Sequence, residues 1–409
     1  MRKFQPQHGI STIALQAEEG ENPNFAHVSP IYQSTTFLFP DVATGQKIFS
    51  KEQPGFYYSR IDNPNVQQLA KKYAILEGID LIRAQPQVDV DQLVAGKVFA
   101  SGMAAVTSAL LAKCKPGDTI IAQSALYSNT LTFLNKFAPV NVVWVEDPSP
   151  DGWEAAFDAH PEAILAYAES PVNPTMEIVD LKRVVELAHQ RHAWVFVDNT
   201  FATPYCQRPL TLGADLVIHS TTKYLSGHGL IVGGAVISPH VDFIRGELQQ
   251  TAAIYGGSPS PFDAWLANIG LKTFGIRMKQ HCENAMIVAQ YLSTHPKVAR
   301  VFYPGLPEFP GHPVAKTQMS DFGGMLSFEL KGGYKAGETL MNSLGLITLA
   351  VSLGNIDSLI QHPASMTHST VSPEERRRMR ITDGLVRFSV GLEDIKDILT
   401  DLEQGLQQV

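Results

Sequence analysis

Between His219 and Gly229 the chain reads HSTTKYLSGHG, setting Lys223 among hydroxyl-bearing and small residues directly after the apolar run ADLVI. An ammonium that a buried strand delivers into a pocket of small side chains loses hydration, which favours the free amine, a nucleophile. Taken alone, Lys223 reads equally as a solvated surface lysine beside a flexible loop. A carboxylate, Asp198, ends a second apolar run, AWVFVD. Buried and unpaired it would be costly, so it calls for a cation or for N–H donors. A third run, KVFA, opens into Ser101, Gly102 and Met103. Such a turn before a helix presents free N–H groups to an anion, although the glycine also serves close packing.

An amine, a carboxylate and an anion cradle at three strand ends suit pyridoxal phosphate. The lysine forms a Schiff base with the aldehyde, and the carboxylate keeps the pyridine nitrogen protonated so that the ring accepts electrons. The phosphate would fall to the Ser101–Met103 turn and the hydroxyls of Ser220 and Thr222. Tyr127, in ALYSNT, either lays its ring on the cofactor face or packs at a domain edge. Other chemistries find less support. GHGLIVGG lacks the GxGxxG spacing and opens no helix after a first strand, against a nicotinamide oxidoreductase. HExxH is absent, and His189 and His192 fall on a polar helix face, so no metal is expected.

These residues need a scaffold, and the pattern around them supplies one. Short apolar runs (KVFA, DTIIAQ, VNVVWVED, AILAYAES, AWVFVDN, ADLVIHS, GGAVIS) alternate with helical periods, as in SGMAAVTSALLAKC and DLKRVVELAHQRH. That alternation predicts βαβ units around a mostly parallel sheet buried on both faces, here seven-stranded. Ligands of such sheets sit beyond the strands' carboxyl ends, where the candidate residues fall. Residues 1–63 read as an N-terminal arm, 64–265 as the α/β domain, and 266–409 as a smaller α+β domain with strands GMLSFEL and LVRFSVG. Ser372, Pro373 and Glu375 predict a helix start by cap, first-turn proline and capping-box glutamate.

Composition narrows the class. The 409 residues are 44% hydrophobic and 18% charged, with a net charge of −8, which disfavours nucleic acid and anionic membranes as partners. The three cysteines, Cys114, Cys206 and Cys282, form neither a disulfide framework nor CxxC spacing. No apolar stretch predicts a signal peptide or a membrane span, and a cytoplasmic protein is expected.

Read in order, YYSRIDNPN, FASGMAAV, SALYSNT, ESPVNPT, VDNTFATPYCQRPL, HSTTKYLSGHG, LAVSLGNIDSLIQHPASMTH and VRFSVGLED resemble the Cys/Met-metabolism family of pyridoxal-phosphate enzymes over nearly the whole chain. The resemblance implies an aspartate-aminotransferase-like α/β fold (fold type I), an amino-acid substrate, and a homotetramer of two catalytic dimers. It matches Lys223 to the Schiff-base lysine, Asp198 to the pyridine-nitrogen partner, and Gly102, Met103, Ser220 and Thr222 to phosphate ligands. Tyr127 corresponds to the stacking, proton-transferring tyrosine. Tyr58 and Arg60 correspond to the pair that reaches the phosphate from a neighbouring subunit. Asn173, Ser352 and Arg387 correspond to the surroundings of the substrate carboxylate, Arg387 having a fork suited to a bidentate grip. As residues read alone, Asn173 also suits a turn and Arg387 a structural ion pair.

Within the family, Val351 stands where cystathionine-processing members carry a glutamate, which implies an uncharged substrate tail. LAVSLG followed by QHPASMTHS most resembles members that eliminate at Cγ of methionine, as carbon–sulfur lyases. γ-Replacement on O-acetylhomoserine and the cleavage or synthesis of cystathionine are the alternatives. Two departures from the pattern stand at Asn129, in place of a cysteine beside the substrate, and Ala252, in place of a lysine. The segment between Glu77 and Ser101 is longer than the pattern and is expected to be a surface insertion.

Overall fold

A computed structural model describes residues 5–20, 22–367, 369, 374, 376 and 380–409. The expected helix start at Ser372, Pro373 and Glu375 lies outside the described residues.

Each apolar run read from the sequence forms a strand of one sheet: β1 (Ala95–Phe99), β2 (Thr119–Gln123), β3 (Asn141–Val145), β4 (Leu165–Glu169), β5 (Trp194–Asp198), β6 (Leu216–His219) and β7 (Gly234–Ser238). Their order is β1-β7-β6-β5-β4-β2-β3, and only β7 runs against its neighbours. All residues of β4 and β6 are buried, which is why these strands read as continuous apolar runs rather than alternating ones. Helices Pro150–Ala159 and Leu181–His189 cover one face through Trp153, Phe157 and Val184. Helices Gly102–Lys113 and Ser128–Lys136 cover the other through Ala105, Ala109 and Leu134. Strand parity therefore puts Tyr167, Phe196 and Ile218 on the second face, and Glu169 and Asp198, two residues beyond Tyr167 and Phe196, with them.

A second sheet holds β8 (Val298–Phe302), β9 (Met325–Leu330), β10 (Thr348–Leu349), β11 (Leu359–Gln361) and β12 (Leu385–Ser389) in the order β10-β11-β12-β9-β8. β9 and β12 are the two strands expected there; β8, β10 and β11 are additional. Helix Phe274–Thr294 joins the two sheets. Its Arg277 donates to the carbonyls of Tyr224 (2.8 Å) and Gly270 (3.0 Å), while Asn284 donates to the carbonyl of Gly391 (3.0 Å) and His281 bonds that of Val390 (2.7 Å). One rigid rod thus fixes the loop after Lys223 against the strand bearing Arg387.

The arm is more structured than its composition implied. Helix Ile10–Gln16 buries Ile13 and Ala14 against the body, and helix Val42–Phe49 is capped by Asp41, which accepts from Thr44 N at 2.7 Å. The long segment after Glu77 also corrects an expectation in part. It forms helices Ile79–Ala84 and Val90–Leu93; Ile79 and Ile82 are fully buried, so its start is packed into the body, while residues 83–87 lie on the surface as expected of an insertion. Arg83 in it donates to the carbonyls of Pro6 and His8, both at 3.1 Å, and thereby buckles the N-terminal segment to the body.

Candidate active site

At the carboxyl ends of β1, β2, β4, β5 and β6 lies a cleft of about 990 Å³, closed on one side by the 351–353 segment and Arg387 of the second sheet. Ser101 Oγ caps the helix that opens it, accepting from Ala104 N at 3.0 Å. A Cβ on Gly102 would lie 2.9 Å from Ser220 Cβ. The missing side chain lets the Ser220 turn lie against the free N–H groups at the start of the helix.

Lys223 donates from Nζ to Ser352 Oγ at 2.9 Å. Burial, and next the Arg387 charge, push its pKa down to about 8. Ser352 has φ +112°, a strained conformation for a residue with a side chain, and its carbonyl accepts from Arg387 Nη2 at 2.6 Å. Arg387 is 6% exposed and donates through Nη1 to Asn173 Oδ1 at 3.2 Å; burial depresses its own pKa to about 10. Asn173, Ser352 and Arg387 are thus assembled as one group next to the amine.

Asp198 accepts from Thr200 N at 3.0 Å, and no cationic side chain reaches it among the described residues. Burial raises its pKa, against the hydrogen bonds from Thr200 and the His219 charge. Its demand for a positive charge is unmet by the protein at the floor of an open cleft. Thr222 Oγ1 is engaged with Gly233, donating to its carbonyl at 3.2 Å and accepting from its N–H at 3.0 Å. Met103 lines the cleft. Tyr127, 41% exposed, stands at the rim with its hydroxyl accepting from Asn129 Nδ2 at 3.1 Å. Val351 is 57% exposed and lines the cleft.

Tyr58 and Arg60 do not line this cleft. Arg60 donates to the carbonyl of Ala253, and its guanidinium lies 5.3 Å from the Tyr58 ring. Nor do the histidines of the HSTTKYLSGHG stretch enter it. His219 points through the sheet, 2.5 Å from Glu77, and His228 bonds the Ser226 carbonyl at 2.6 Å. His189, on the polar helix face, keeps its side chain 45% exposed and hydrogen-bonds Asp215 at 2.9 Å.

Glu169 was not singled out from the sequence. It ends β4 as Asp198 ends β5, and the two are register partners. The signal was there, since AILAYAE closes on a carboxylate just as AWVFVD does.

The site fits pyridoxal phosphate on its own features: a desolvated amine, a carboxylate lacking a cation, and an N–H turn pressed against a serine. Comparison with known proteins agrees. The profile of the family described as Cys/Met metabolism PLP-dependent enzyme matches residues 11–407. The chain is 46% identical over 404 residues to the L-methionine gamma-lyase of Pseudomonas putida, covering 98% of this chain and 97% of that one. It is 44% identical over 411 residues to the L-methionine gamma-lyase of Fusobacterium nucleatum subsp. polymorphum, covering 98% and 99%. Among solved structures it superposes on cystathionine gamma synthase from Xanthomonas oryzae pv. oryzae, in complex with cystathionine, with a TM-score of 0.88 at 36% identity and 98% coverage of both chains.

Proposed function

The chain belongs to the Cys/Met metabolism PLP-dependent enzymes, and from that premise we propose that it cleaves the Cγ–S bond of L-methionine, consuming water and releasing methanethiol, ammonia and 2-oxobutanoate. The observation that carries the reading is the pairing of the Lys223–Ser352–Arg387–Asn173 group with an apolar residue, Val351, on the same cleft. The relatives named for this activity align with the chain from end to end.

Pyridoxal phosphate, when bound, supplies a covalent anchor for the substrate amino group and an electron-withdrawing ring that accepts the pair left at Cα. Gly102, Met103, Ser220 and Thr222 would hold its phosphate, and Asp198 would keep its ring nitrogen protonated. Arg387 and Asn173 grip the substrate carboxylate. Lys223 in its amine form removes the Cα proton and carries protons at Cβ, steered by Ser352 Oγ. Tyr127, with Asn129 beside it, would lie over the ring of the cofactor and protonate the departing sulfur.

Tyr58 and Arg60 act in a neighbouring subunit's cleft, in a homotetramer of two catalytic dimers. Support comes from their absence from the lining of their own cleft and from the apolar surface of the arm, where Leu38 is 95% and Val42 89% exposed. Residues 1–63, 64–265 and 266–409 serve as arm, cofactor domain and C-terminal domain. No helix among the described residues is long and apolar enough to cross a membrane, and the cytoplasm is the proposed compartment.

The test is to offer the purified protein methionine, cystathionine, or O-acetylhomoserine with sulfide, and to measure 2-oxobutanoate and thiol products. Methionine should yield methanethiol and 2-oxobutanoate in equal amounts. A protein that instead turned over cystathionine alone would overturn the reading. Val351→Glu should lower kcat/KM for methionine and raise the relative preference for cystathionine, whose distal ammonium can pair with the new carboxylate. Because Val351 is 57% exposed, screening limits the change in the ratio to about tenfold. An unchanged ratio would remove Val351 from the tail pocket.

A further inference from the structure

Glu169 is 6% exposed at the end of β4, and among the described residues no cation reaches its oxygens. Oε2 accepts from the N–H of Tyr127 at 2.9 Å, and Oε1 accepts from the N–H of Asn173 at 3.1 Å. One carboxylate therefore anchors the two loops that carry the stacking tyrosine and the partner of Arg387. Its own main chain is held on both sides by Gln123, whose Oε1 accepts from Glu169 N at 3.0 Å and whose Nε2 donates to Glu169 O at 3.1 Å. Across the strand pair stands Asp198, on the same face. We propose that Glu169 is a positioning residue that sets Tyr127 and Asn173 in place and whose charge governs the pH range over which Asp198 can hold the cofactor. This rests on the cofactor reading of Asp198 given above.

The physics is that of two carboxylates in one desolvated site. Two hydrogen bonds favour an ionised Glu169, while burial and the Asp198 charge oppose it and raise its pKa. Together the pair gives up its last proton reluctantly unless a positive charge arrives. A cationic ring nitrogen held by Asp198 would be such a charge; with it, both carboxylates could be ionised and Glu169 would grip both N–H groups at full strength. The other groups that act on the pair are Tyr167 on the same strand and His219 behind β6; Lys223 and Arg387 line the same cleft.

The experiment follows cofactor retention, by absorbance after gel filtration from pH 5 to 9, alongside methionine turnover. Glu169→Gln removes the like charge next to Asp198, so the midpoint of cofactor loss on acidification should move down by about one pH unit. The amide offers a donor where one N–H needs an acceptor, so kcat should fall about tenfold or more. A glutamate with a merely structural role would weaken both together. Glu169→Asp keeps the charge but is too short to reach both N–H groups, so it should keep the wild-type midpoint and still lose turnover. This keeps the proposal testable if Glu169→Gln does not fold. Coincident midpoints for wild type and Glu169→Gln, a shifted midpoint in Glu169→Asp, or full turnover in Glu169→Asp would each overturn it. Asp198→Asn separates the two readings. It should bind cofactor weakly with little pH dependence, and if it matches wild type the assignment of Asp198 fails, and this proposal with it.

Discussion

Lys223→Ala is expected to lose the visible absorption of the bound cofactor and to reduce methionine turnover by about 10⁴-fold or more. On its proposed roles the variant removes both the covalent tether and the base, and a positioned base alone contributes about 10²–10⁴-fold. The fold should tolerate it, because Lys223 makes one side-chain hydrogen bond, to Ser352, and its alanine leaves open cleft rather than a sealed cavity. The wild-type amine gives the complementary signature. With its pKa pushed down to about 8, the rate of covalent cofactor capture by the apoprotein should climb about tenfold per pH unit below 8 and flatten above it. An unperturbed lysine would keep climbing toward the ordinary range. A Lys223→Ala protein that retained absorption and turnover, or a capture rate still rising tenfold per unit at pH 9.5, would place the reactive amine elsewhere.

The second large effect tests the arm. Arg60→Ala and Lys223→Ala should each be nearly inactive, yet oligomers re-formed from an equal mixture should recover roughly a quarter of wild-type activity. Half of randomly mixed dimers contain one subunit of each kind, and each such dimer rebuilds one of its two composite sites. The expectation comes from Arg60 lying against Ala253 and Tyr58 rather than on its own cleft. Mass spectrometry of the intact oligomer verifies exchange. Mixed oligomers with no recovered activity would confine Arg60 to its own subunit's chemistry.

The strands that carry Lys223, Asp198 and the Ser101–Met103 turn were legible because fully buried strands write themselves as apolar runs and end abruptly on polar residues. The same rule applied to AILAYAE points to Glu169, although its significance emerges only once β4 and β5 lie side by side. The packing of Ile79 and Ile82 was not legible, since a short irregular segment has no period to reveal which of its residues are covered.

The amino-acid sequence by itself determined the class of sheet, the strand ends that carry the proposed site residues, and, through its ordered motifs, the family and its cofactor. These are properties of local period and of residue type, which a chain displays before it folds. Tertiary structure decided which distant residues meet. Arg387 and Asn173, 214 residues apart, share a hydrogen bond because helix Phe274–Thr294 locks the second sheet over the first. It also closed Ser352 onto Lys223, sent His219 through the sheet to Glu77, and left Tyr58 and Arg60 outside their own cleft. Such contacts depend on how two layers pack and on the direction in which each side chain leaves its backbone, and a linear pattern carries neither.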